Sequence, residues 1–237
     1  MTTPAAKTIH LLTRPGDGPG AREAFVRDVH DRLVPRLLEA TSGPLKIGVT
    51  DEPKPRPSVI PLRSENLLMV STYGEGGARV AEVLAAEEGT LAGYRVDEST
   101  PVDYTRTWAD GTRTRGVVLL TLLRQNRRLS WDDFMYEWHG RHTPKAMRLH
   151  PLWSYTRNVV TDLAVAGSRR FDGIVEEVFP IGAVTDLAVF FDARGSDERM
   201  KANMRAMTAS TARFLDDGTV DAVPTGRYVM SIRGAHV

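Results

Sequence analysis

There is no cysteine among the 237 residues. That excludes disulfides, thiol nucleophiles and cysteine-ligated zinc or iron–sulfur centres together. Charge of one sign is not in excess either: 31 Lys and Arg stand against 30 Asp and Glu, and the basic residues are scattered. A nucleic acid or an anionic membrane would call for a basic patch, so neither is expected as a partner. Long hydrophobic runs are missing; the longest, around 117–123, has about seven residues where a membrane span needs about twenty. The opening MTTPAAKTIHLL lacks the apolar core of a secretory signal. There is no G-x-S-x-G, no phosphate-binding loop, and Gly74-Glu75-Gly76-Gly77 lacks the spacing of a dinucleotide loop. What remains, at 41% hydrophobic and 26% charged, is an ordinary globular composition, and the expectation is a cytoplasmic protein.

Periodicity divides the chain near 108–114, WADGTRT, a turn-rich joint. Before it, strands are expected at 7–14, 45–50, 66–73 and 92–107, with helices at 21–41 and 77–89 and a proline-rich connection at 51–61. After it, strands are expected at 115–124, 152–161, 172–179 and 219–233. A helix is expected at 129–144 and a helical region at 183–215, broken near Gly195. Each half then reads strand, helix, strand, strand, helix, strand. Phe25, Asp28, His30, Arg32 and Pro35 have the spacing of Phe134, Glu137, His139, Arg141 and Pro144. Such a repeat argues for duplication. The expected fold is α+β: two ferredoxin-like βαββαβ units fused into a pseudo-symmetric dimeric α/β barrel, with halves 1–107 and 115–237.

The stretch 129–144, LSWDDFMYEWHGRHTP, organises the second half. Ser130 is a fair N-cap, and Trp131, Phe134, Met135 and Trp138 make one apolar stripe. Gly140 is expected to end the helix and Thr143, before Pro144, to bend the chain. His139 and His142 then sit where a packed helix gives way to a loop, a good address for a site.

These residues resemble the EthD family of the dimeric α/β-barrel group. Phe134, Trp138, His142 and Pro144 follow its helix motif, Tyr155 and Asn158 its Y-x-x-N strand, and Phe171-Asp172-Gly173-Ile174 with Glu176 its Y/F-D-G-I-x-E strand. Glu137, His139 and Thr143 depart from it. The likeness spans roughly 115–233; the first half matches only through the repeat, with Leu33 where the second half has His142. The resemblance implies a degenerate first half and a site in the second. It also implies cofactor-free chemistry on a small hydrophobic cyclic substrate, such as lactone rearrangement, dehydration or polyketide ring closure.

His142 is the expected acid or base, since imidazole titrates near neutrality. Asp172 and Glu176, four apart on one strand, are expected to share a face, repel, and leave one carboxyl able to donate a proton. Tyr155 and Asn158, three apart on a strand, should face opposite ways, one of them toward the pocket. Glu177 should face away from Glu176. Trp138, His139 and Met204 (in the stripe Met200, Met204, Met207, Phe214) are the remaining substrate-binding candidates. Glu137, His139 and His142 do not share one side of a helix, so no metal centre is expected. The leading expectation is a lyase or isomerase without a cofactor. The alternatives are an α/β-barrel monooxygenase, haem-dependent or cofactor-free, and a non-catalytic carrier of a hydrophobic metabolite. The sequence leaves open whether the fused pair dimerises further.

Overall fold

The computed structural model describes residues 6–16, 20–51, 66–216 and 221–230. Most of the proline-rich connection expected at 51–61 lies outside the described residues. The first half runs β1 (Lys7–Arg14), α1 (Ala21–Asp28), α2 (Val34–Glu39), β2 (Leu45–Val49), β3 (Asn66–Tyr73), α3 (Gly77–Ala85) and β4 (Thr90–Val102). The second runs β5 (Val117–Leu123), α4 (Trp131–Met135), α5 (Thr143–Leu149), β6 (Ser154–Leu163), β7 (Gly173–Phe179), α6 (Leu187–Phe190), α7 (Asp197–Thr211) and β8 (Asp221–Met230).

All strand pairs are antiparallel. β1 pairs with β3 and β4, and β3 with β2, giving β4-β1-β3-β2. The second half gives β8-β5-β7-β6 by the same rule. The seams β2·β8 and β4·β6 close the two sheets into one barrel of eight strands, so no sheet edge is left open. Side chains alternate across each strand. Ile9, Leu11, Leu120, Leu122 and Ile174 fill the barrel interior, whereas Leu12, Leu68 and Val70 pack outward on the first-half helices. Both faces are therefore covered. This explains why β5 reads VVLLTLL, buried at every position, rather than as alternating polar and apolar residues.

The helix in the second half does not end at Gly140. It continues through a π-helical turn, Tyr136–His142, into α5. Pro144 has no N–H to offer the preceding turn, and the wider π turn accommodates it. There, the Thr143 N–H and hydroxyl both reach the Trp138 carbonyl, the hydroxyl at 3.0 Å. The first half has the same irregularity, Val29–Leu33, before Pro35. The α3 helix stops at Ala85, short of the expected 89. Gly195, with φ +78°, separates α6 from α7 as expected.

Candidate active site

Between the outer face of β5–β8 and the second-half helices lies a cavity of about 560 Å³. Its walls are mainly apolar: Trp138, Phe190, Phe191, Met207 and Phe214 stand over Leu119, Val175 and Ala222. The fully buried Trp138 ring can approach β7 closely because Gly173 has no side chain; a Cβ there would stand 2.4 Å from the ring. The equivalent space in the first half is filled by Phe25, Leu33, Leu37, Ile47 and Leu68.

Four groups bring polar chemistry into this cavity. His142, buried in the π turn, has Nδ1 3.1 Å from the Ser210 hydroxyl on α7. Burial, with His150 and Lys145 adding to it, lowers its pKa to about 4. His150 follows α5, and its Nδ1 is 2.7 Å from the Phe190 carbonyl. A carbonyl only accepts, so Nδ1 carries the proton and Nε2 is a lone pair. Burial lowers this histidine to about 4 as well, against the opposing carbonyl bond. Both imidazoles are therefore neutral at pH 7. Tyr155 and Glu177 are direct cross-strand neighbours on β6 and β7 and form part of the cavity floor. Burial pushes the Tyr155 hydroxyl above its usual range. No ion pair joins Glu177 among the described residues, and burial raises its carboxyl to about 8. At pH 7 it is mostly un-ionised and can donate a proton.

The expected pair of Asp172 and Glu176 is not in this cavity, nor do the two share an environment. Asp172 precedes β7, and its carboxylate accepts the Gln125 N–H at 2.8 Å; it lines a surface depression with Arg124, Arg127, Arg169 and Arg170. The alternation argument fails there because the strand begins only at Gly173. Glu176 points into the barrel. Burial would raise its carboxyl, but Lys46, Lys7 and Arg227 outweigh burial and hold it far below the carboxylate range. The proton-donating carboxyl expected of that pair is found at Glu177, which faces away from Glu176 as expected.

Tyr155 and Asn158 do face opposite ways. Asn158 is inside the barrel, accepting from Lys7 at 2.7 Å and donating to the Ile174 carbonyl at 3.0 Å, so it is remote from the cavity. Trp138 lines the cavity. His139 lies instead in an outer groove with Trp131, Met135 and Arg157, and burial lowers its pKa to about 4. Met204 does not line the cavity but packs against the apolar cluster that does, whereas Met207 is itself in the cavity wall. Sequence reasoning missed His150 and Ser210. Neither stands in a motif, and their partners are 40 and 68 residues away along the chain. Among the described residues no three His, Asp or Glu side chains form a metal-binding group, and no helix is long and apolar enough to cross a membrane.

The helix motif and the Tyr155 strand meet at this cavity, and residues 126–218 match the family model of the EthD domain. This segment is similar to the EthD domain. Three solved structures share the architecture beyond it. One is a candidate monooxygenase from Fusobacterium nucleatum, with 12% identity over 98% of this chain and 94% of that one, TM-score 0.50. Another is an anthrone oxidase-like protein, with 9% identity over 98% and 94%, TM-score 0.56. The third is a point mutant of chlorite dismutase from Candidatus Nitrospira defluvii, with 11% identity over 95% and 92%, TM-score 0.51. At such identities the likeness is one of fold, the dimeric α/β barrel. No match was found among the curated proteins.

Proposed function

We propose that the chain is a cofactor-independent enzyme that moves protons on a hydrophobic, ring-bearing ketone. That makes it a lyase or isomerase of the cyclase, dehydratase or lactone-isomerase type. One observation carries this reading: the Glu177 carboxyl, which no ion pair joins among the described residues and which burial raises to about 8, shares an apolar cavity with the imidazoles of His142 and His150. Enolisation needs an acid at the carbonyl oxygen and a base at the neighbouring carbon. Glu177 donates to the oxygen, with the Tyr155 hydroxyl beside it. An imidazole, His150 Nε2 or His142, takes the carbon-bound proton. Burial makes each histidine a weak base, but the transfer leaves an imidazolium and a carboxylate in one low-dielectric cavity, where their attraction offsets that weakness. In this reading the site belongs to 115–237 and the first half is architectural.

Haem does not suit this cavity. Among the described residues its lining has no lysine or arginine to meet two propionates. A cofactor-free oxygenase remains the second reading, favoured by the apolar cavity and by the names of the first two structural neighbours.

Anthrone, a flat tricyclic ketone with an acidic methylene, tests both. The expected result is faster exchange of its methylene protons for deuterium in the presence of the protein. Glu177→Gln and His142→Ala should each cut that acceleration at least tenfold. Oxygen uptake with anthraquinone as product would shift the assignment to the oxygenase. Wild-type exchange no faster than in buffer would refute the proton-transfer reading for this class of ketone.

A further inference from the structure

The barrel interior holds a second set of titratable groups that the cavity chemistry does not use. At one end of the barrel, Lys7 of β1, Lys46 of β2 and Arg227 of β8 face Glu98 of β4 and Glu176 of β7, with Tyr73 of β3 and Asn158 of β6 between them. Among the described residues, three cations thus meet two carboxylates. Lys7 is bonded to Glu98, to Asn158 at 2.7 Å and to Glu176 at 3.3 Å. Arg227 donates to Glu176 at 3.2 Å. Among the described residues Lys46 has no comparable bond: its nearest carboxylate oxygens there, on Glu98 and Glu176, are 3.7 and 3.9 Å away. A surplus ammonium withdrawn from water is costly, and the set becomes neutral if one cation gives up its proton. Arginine cannot do so, and Lys7 is held by three acceptors. Lys46 is the group that can. Its side chain also keeps 15% of its surface exposed, against 1% for Lys7, so reagents reach it.

We propose that Lys46 is a free-amine nucleophile at the end of the barrel that condenses with small aldehydes and ketones. Burial, reinforced by Lys7 and Arg227, outweighs the two carboxylates and lowers the lysine to about 8, consistent with the charge balance. The Lys46 nitrogen adds to the carbonyl carbon to give a carbinolamine. The hydroxyl then leaves as water with the remaining amine proton, and the C=N bond forms. One water is released and nothing is oxidised or reduced. This centre is independent of the cavity reading, because no group of the cavity takes part.

The test is reductive alkylation of the full chain with propanal and cyanoborohydride, read by peptide mass spectrometry. At pH 7.5, Lys46 should be propylated at least tenfold faster than the exposed Lys201, because an ordinary lysine has only ~0.1% free amine at that pH. The Lys46 rate should rise with pH to a plateau with a midpoint near 8. Glu98→Gln, at the rim, removes one of the two carboxylates and should move that midpoint down. Lys46 labelling no faster than Lys201, or a midpoint that does not move in Glu98→Gln, would overturn the proposal.

Discussion

Glu177→Gln should make the protein more stable and less active at once. The folded carboxyl titrates near 8 and the unfolded one near 4.5, so the folded state holds the proton more tightly. The resulting penalty on folding is absent below the unfolded value. It grows as pH rises and is complete above about 8. At 1.36 kcal/mol per unit, a shift of about three and a half units sets an upper bound of about 5 kcal/mol. With these values the expected gain for glutamine is about 4 kcal/mol at pH 8, falling below about 1 kcal/mol at pH 5. Glutamine keeps the shape and has no charge to desolvate. Urea unfolding of both proteins at pH 5 and pH 8 measures this directly. The histidines lower stability toward acid equally in both proteins and drop out of the difference. A gain of the same size at both pH values, or none at pH 8, would refute the claim that Glu177 is held un-ionised by burial.

His142→Ala should leave the fold intact while cutting the acceleration of anthrone exchange at least tenfold, since it removes an imidazole from a cavity wall; circular dichroism and the exchange rate together check this. Gly173→Ala should destabilise by about 2 kcal/mol and weaken binding of flat ligands, because the new methyl group displaces the buried Trp138 ring; urea midpoints and ligand fluorescence quenching would show it. His10, His139, His142 and His150 all have folded values lowered by burial to about 4. Their stabilising effect is complete above the unfolded value of about 6.5 and is lost as pH falls toward 4. The melting temperature should therefore drop steeply across that window, and a flat profile from pH 6.5 to 4.5 would count against neutral buried imidazoles.

Much of the fold is legible in the sequence because periodicity survives in a barrel built of amphipathic layers. The strands at 7–14 and 66–73 fall where β-formers end at proline or glycine, and the spacing shared by Phe25–Pro35 and Phe134–Pro144 marks two helices with the same π turn. The end of the second helix is not legible, because Gly140 and Pro144 are local stop signals. A π turn widens the helix enough to carry both, and no local rule announces one. His150 could be placed after a helix but not against Phe190, since that contact depends on how the loop after β7 folds back.

The carboxylates show where local reasoning reaches its limit. Alternation correctly puts Glu176 and Glu177 on opposite faces of β7, but it cannot say which face meets the site. The closed barrel has an attractive interior, and a carboxylate pointing there looks like the catalytic one. The cations decide otherwise. Lys7, Lys46 and Arg227 come from three other strands and converge on Glu176, which keeps it ionised and unable to act as an acid. Glu177 meets Tyr155, Leu119 and the helix side chains, where no cation follows it. Two adjacent residues of one type thus have opposite proton affinities, set by partners dispersed over the whole chain. An inversion of their roles is testable: Glu176→Gln should leave buried cations unpaired and unfold the barrel more readily, by about 3 kcal/mol or more, whereas Glu177→Gln should not.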